Sequence, residues 1–238
     1  MSFALPRGVI LPVDQIDVRL DPSPHPFELN NADAIAENWQ REMKARPAVF
    51  DGTVVLLSEF GYADRRLFGR CHPVRYSTFL YWRRDRAGTV AHAFAHPMLV
   101  TKDNALMAIR MAAHTVNAGK VYFAAGSFEP EDFPDGLVDA HGNMVREVLE
   151  ETGLDISGVH RGERHYALAT ERGTVIFRRY FLDGNADEIA SRIRDFVARE
   201  SEPEIEEPIV IRNVRDQPAG LMPHMPPMIE WHFANAGD

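Results

Sequence analysis

Arg146-Glu147-Val148-Leu149-Glu150-Glu151-Thr152-Gly153-Leu154 describes the end of one helix and a concentration of charge on it. Val145, Val148, Leu149 and Thr152 recur at i, i+3, i+4 and i+7, the spacing of an apolar helical stripe, and Gly153 stands where a helix C-terminal glycine belongs. A helix is therefore predicted within residues 135–153. Glu147, Glu150 and Glu151 fall at i, i+3 and i+4, so three carboxylates share a face, each within about 6 Å of its neighbour. They occupy the last two turns, where the negative end of the helix dipole disfavours each by roughly 0.3–1 kcal/mol. A cation would remove both penalties. Hard oxygen ligands, with no cysteine or paired histidine nearby, suit magnesium or manganese rather than zinc or copper. Three glutamates alone fit a solvated, acidic helix end better than a metal site.

The segments before this helix have strand and turn composition. Residues 53–60, with a Thr-Val-Val-Leu-Leu core, and the aromatic run at 76–82 are expected strands, followed by a turn at 84–88. Residues 105–111 and 121–124 are two more, joined by Asn117-Ala118-Gly119. At the start, Pro22, Pro24 and Pro26 predict an extended arm over 20–27. A helix capped by Asn30 or Asn31 follows, with Ile35, Trp39 and Met43 expected to dock and Arg46-Pro47 to stop it. Downstream, residues 166–170 and 175–182 pair about Glu171-Arg172-Gly173. Residues 186–200 form a helix with Ile189, Ile193, Phe196 and Val197 on one side, and residues 208–211 are a last strand. The tail at 221–233 is too apolar to be solvated and too proline-rich to be one helix, so it packs on its own chain or on a second copy, as a homodimer would allow.

Composition narrows the function. Hydrophobic residues are 45% and charged residues 26%, a balance that folds. With 35 acidic against 26 basic residues the net charge is −9, which argues against nucleic-acid or anionic-membrane binding. The lone Cys71 forms no intrachain disulfide, and neither a signal peptide nor an eighteen-residue apolar span is present, so a cytoplasmic protein is expected.

The residues at 146–154 match R-E-U-x-E-E-x-G-U, the second half of the signature of the Nudix hydrolases, where U is a bulky aliphatic residue. Gly126-Ser127-Phe128-Glu129-Pro130-Glu131-Asp132 resembles the first half, G-x5-E, with aspartate in the final place. Residues 133–145 separate the halves, thirteen where the family has seven, so a six-residue insertion falls here, with Phe133-Pro134-Asp135-Gly136 as its loop. The resemblance implies an α+β fold, a Nudix-like α/β/α sandwich with a mixed central sheet, plus an N-terminal helical extension. Residues 1–50 would be the arm and helix, and residues 51–238 the catalytic domain with its tail. Trp39, Arg46-Pro47 and Phe50-Asp51-Gly52-Thr53 resemble the extension of Nudix enzymes that act on nucleotide sugars.

The resemblance also implies the chemistry: Mg2+- or Mn2+-dependent attack of water on a phosphorus of a small nucleoside diphosphate derivative, such as a nucleotide sugar, dinucleotide or coenzyme A compound. Glu147, Glu150, Glu151 and Glu129 would hold metal. Glu150, Glu151 and Arg146 would be catalytic, with Arg146 either orienting a glutamate or simply pairing with Glu150. Gly126 would belong to the loop over the site. The base could also come from the acidic run Glu200, Glu202, Glu204, Glu206 and Glu207, which otherwise reads as a solvated linker. Arg75 is a candidate substrate ligand within a basic run of arginines at 65, 66, 70, 75, 83, 84 and 86, for which surface solubility is the rival explanation. His72, His92, His96 and His114 read as ordinary polar or core histidines. The competing functional class, motivated by Asp132 and the insertion, is a nucleotide-binding or regulatory module without turnover.

Overall fold

Short apolar runs, broken by proline, glycine and polar turns, produce a mixed α+β architecture in the computed structural model, which describes residues 5–46, 49–85 and 90–235. Pro47, Arg86 and the end of the turn expected at 84–88 lie outside these residues. In chain order the strands and helices are β1 (Ile10–Val13), β2 (Gln15–Leu20), α1 (Pro26–Asn30), α2 (Ala32–Ala45), β3 (Thr53–Ala63), β4 (Arg66–Arg75), α3 (Tyr76–Asp85), β5 (Ala93–Val100), β6 (Leu106–Met111) and β7 (Val121–Tyr122). They continue through α4 (Ala140–Thr152), β8 (His160–Arg161), β9 (His165–Thr170), β10 (Gly173–Phe181), α5 (Ala186–Val197), β11 (Ile205–Ile211) and α6 (Met225–Ala234). One sheet runs β1-β9-β10-β5-β6-β11, with β7 on β6 and β8 on β10, and a three-stranded sheet runs β2-β4-β3. The contacts divide the chain into two units: residues 1–94, 127–140 and 167–176, and residues 95–126, 141–166 and 177–238.

In the first unit β4 lies between a parallel β2 and an antiparallel β3. The arginine-rich run at 66–75 is this strand: Arg66, Arg70 and Arg75 face outward while Leu67, Cys71 and Val74 are buried. Cys71, the single cysteine, is fully buried and its thiol donates to the Arg19 carbonyl at 3.4 Å. Residues 76–82, expected as a strand, are instead the helix α3. Its aromatic residues favour strands locally, but Asp51 overrides them by capping the first turn, accepting from the Ser77 amide at 2.7 Å and the Ser77 hydroxyl at 3.2 Å. Phe79 and Trp82 then pack with Phe27, Val54, Leu56, Val74 and Val90.

Pro26 opens α1, with His25 capping it by accepting from the Phe27 amide at 3.0 Å, so the extended arm is shorter than expected. In α2 Ile35 is buried and Met43 is exposed, and the second inward position is Asn38, which accepts from Arg84 at 3.3 Å. The expected 35-39-43 stripe therefore docks only at its start.

In the second unit β6 pairs antiparallel with β7 and β11, and α5 packs on β11 and β6. A reciprocal cap between Asn185 and Glu188 starts α5, which buries Ala186, Ile189, Ala190 and Ile193. The tail corrects another expectation: residues 225–234 form α6 because Pro226 and Pro227 fall in its first turn, where no intrahelical amide bond is lost. It packs on its own chain through Trp231, 4.3 Å in ring centroid from Tyr166 and beneath the Arg179 guanidinium at 4.4 Å. Among the described residues, no helix is long and apolar enough to cross a membrane.

Candidate functional site

Helix α4 folds against its own hydrophobic pattern. Its inward face is Met144, Glu147, Val148, Glu151 and Thr152, while Leu149, expected in the apolar stripe, is 48% exposed. Glu147 and Glu151 are only 8% and 5% exposed. Two carboxylates one turn apart are thus buried where apolar residues would be cheaper to place, a departure that marks functional sites.

Two glycines permit this rotation. A Cβ on Gly126 would stand 2.4 Å from the Glu147 carboxyl carbon, so only glycine leaves room for that carboxylate. Gly153, at φ +69°, ends the helix in the left-handed region, and its amide donates to the Leu149 carbonyl at 2.9 Å. A Cβ there would meet the Phe196 ring of α5 at 2.4 Å, so glycine also sets how closely the two helices approach.

The site's charges are arranged by burial and by Arg146. The Ala125 amide donates to Glu151 Oε2 at 2.9 Å. Even so, dehydration holds the Glu151 carboxyl well above the usual carboxylate range, and the negative charges of Glu147, Glu204 and Glu150 push it the same way. Arg146 Nη1 lies 2.8 Å from Glu147 Oε1 and 3.2 Å from Glu150 Oε2, so one guanidinium joins an inward carboxylate to a largely exposed one. Glu204 emerges from the acidic run at 200–207 as the member whose charge reaches Glu151, a selection that spacing could not make.

The remaining expected site residues lie in the first unit. Glu129 and Asp132 form a reciprocal cap on a 3-10 turn at Pro130–Asp132, in which Asp132 accepts from the Glu129 amide at 2.9 Å. A second 3-10 turn, Pro134–Gly136, lies in the stretch 133–145, whose last residues from Ala140 onward belong to α4. Arg75 pairs with Asp51 at 3.3 Å, and its amide donates to Glu28. Its neighbours are similarly occupied: Arg65 by Asp14 and Arg70 by Asp21, with Arg66 over Phe68 and Arg83 over Phe79. The basic run is largely an outer strand face with local partners. His72, His92 and His96 are buried, as core histidines should be, and His114 is exposed.

Among the described residues, no three His, Cys, Asp or Glu side chains are gathered as a metal site. The donor chemistry of Glu147 and Glu151 nevertheless fits a hard divalent cation, because the charge of Glu147 adds to the cost of ionising Glu151 in a dehydrated place.

No protein-family profile matches the chain, and no curated protein matches it. Among solved structures, it is similar to the MutT protein from Methanosarcina mazei Go1, with 13% identity over 62% of this chain and 96% of that one at a TM-score of 0.42. It is also similar to the E. coli ORF135 protein, with 16% identity over 62% and 93% of the two chains at 0.39. A third likeness is to a bifunctional NMN adenylyltransferase/ADP ribose pyrophosphatase from Francisella tularensis, with 10% identity over 89% and 48% at 0.41. These identities and scores place the chain in no family.

Proposed function

We propose that the protein is a Nudix-type pyrophosphohydrolase that cleaves the diphosphate of a small nucleoside diphosphate derivative with the help of Mg2+ or Mn2+. The observation that carries this reading is the inward pair Glu147 and Glu151, held on α4 within the stretch that matches the Nudix signature at 146–154. Diphosphate oxygens repel an attacking water, and a bound divalent cation supplies charge neutralisation and a more acidic water. Glu147 and Glu151 are the residues to hold it, with Glu150 at the exposed rim. Arg146 positions Glu147 and Glu150 together, and Glu150 is exposed enough to accept a proton from an incoming water. Gly126 keeps the Glu147 carboxylate in place by leaving it room.

The experiment offers the purified protein a panel of nucleotide sugars, ADP-ribose, NADH and coenzyme A with Mg2+, and measures release of nucleoside monophosphate or of the corresponding phosphate product. Turnover that disappears with EDTA and in Glu151→Gln supports hydrolysis. Absence of turnover across the panel, or turnover indifferent to the substitution, supports the binding module instead.

A further inference from the structure

A cleft of about 460 Å3 opens in the first unit, lined by Arg7, Trp82, Ala91, His92, Arg172 and Gly173 among others. That volume lies in the range of small-molecule sites, roughly 300–1,000 Å3. One wall is aromatic. Trp82 and His92 are buried, their ring centroids 6.2 Å apart, and Phe79 lies 6.0 Å from Trp82 and 4.7 Å from His92. Ala91 and Ala169 line the cleft with little side-chain bulk, leaving space beside that wall for a flat group.

The rim is cationic and built on fixed backbone. Gly8 donates to the Ala169 carbonyl at 2.9 Å and Arg7 bridges Ala169 in parallel, which ties Arg7 to the end of β9. Arg172 sits in the turn at 171–172, where its amide donates to Thr170 Oγ1 at 3.1 Å and that hydroxyl donates to the Gly173 carbonyl at 2.8 Å. Elsewhere in this unit Arg19, Arg41, Arg46, Arg65, Arg70 and Arg75 each hold a carboxylate. The guanidinium groups of Arg7 and Arg172 hold none among the described residues, although the chain has nine more acids than bases, giving a charge of −9. Guanidinium is the side-chain group best suited to phosphate or carboxylate oxygens, and it also lies well over aromatic faces.

We propose that this cleft binds a small planar aromatic anion, whose ring lies along the Trp82 and His92 wall and whose acidic group is taken by Arg7 and Arg172. Glu171, also on the lining, limits the site to ligands whose charge stays at the arginine rim. The site involves none of the carboxylates on α4, so it goes beyond the hydrolase reading and does not depend on it.

The test titrates 1-naphthyl phosphate, 1-naphthoate, 1-naphthol and inorganic phosphate calorimetrically into the full chain in EDTA, and repeats the titration with Glu151→Gln. Expected are saturable binding of at least one naphthyl anion, affinities for 1-naphthol and for phosphate weaker by about tenfold or more, and no change with Glu151→Gln. The double variant Arg7→Ala/Arg172→Ala, exposed at both positions, should weaken the anion by about tenfold or more without moving the melting temperature. Ala91→Phe, which fills the cleft, should abolish binding. In NMR spectra the indole resonance of Trp82, assigned through Trp82→Phe, should shift while those of Trp39 and Trp231 stay. Failure of both anions to bind, 1-naphthol binding equally well, or affinity indifferent to the arginine substitutions would overturn the proposal. Because metal is chelated throughout, a missing hydrolase activity would leave these readings intact.

Discussion

Glu151 sits in a place where ionising it works against folding. Its carboxyl is raised by dehydration first and then by Glu147, Glu204 and Glu150. A carboxyl raised in the folded state contributes stability below its unfolded pKa and loses that contribution as pH rises through the folded one. Without metal, Glu151→Gln should therefore raise the melting temperature at neutral pH by at least about 2 °C, and the gain should vanish near pH 4, where both states are protonated. Differential scanning calorimetry in EDTA checks this, and Mg2+ should narrow the difference by stabilising only the wild-type chain. Gly126→Ala makes the converse case. Its Cβ would displace the Glu147 carboxylate, a flexible side-chain end, so melting should shift little while the proposed diphosphate hydrolysis drops by about tenfold or more.

At the scale of single elements, the structure shows where sequence pattern suffices and where it does not. Helix α5 was legible because its Asn185 cap, its Ile189 and Ile193 stripe and its length all agree. Helix α4 is legible in position, yet its rotation is not: apolar spacing places Leu149 inside, whereas Glu147 lies inward in the room left by Gly126 and Glu151 lies inward on the Ala125 amide. Helix α3 is not legible in local pattern because its start depends on Asp51, a residue 26 positions away in sequence from Ser77. Asp51→Ala should accordingly cost about 1–2 kcal/mol, the loss of a helix cap, measurable as a lower denaturant midpoint at unchanged slope. The acidic cluster shows the same limit, since spacing named Glu147, Glu150 and Glu151 but could not single out Glu204 across an intervening stretch of more than fifty residues.

Across the whole molecule, three buried histidines set the response to acid. Dehydration lowers His25, helped by the charge of His72, and it lowers His96 well below its ordinary range, helped by His224. It lowers His232 to about 4, with Arg179 adding to the effect. A histidine lowered in the folded state takes up its proton more readily when unfolded, so stability is present above pH 6.5 and lost as pH falls below it. For His232 the loss continues until about pH 4 and amounts to on the order of 3 kcal/mol. Urea titrations between pH 7 and pH 5 should show a falling midpoint, and His232→Phe should flatten the fall.

Cys71 gives this chain a reporter that requires no engineering. Burial pushes its thiol up to about 12, so at neutral pH the sulfur is both shielded and protonated, and alkylating reagents find almost no thiolate to attack. Modification must wait for β4 to part from its neighbours. The labelling rate of this one atom, followed by mass spectrometry in the native protein, therefore clocks how often the three-stranded sheet breathes open, and whether a ligand in the first unit slows it.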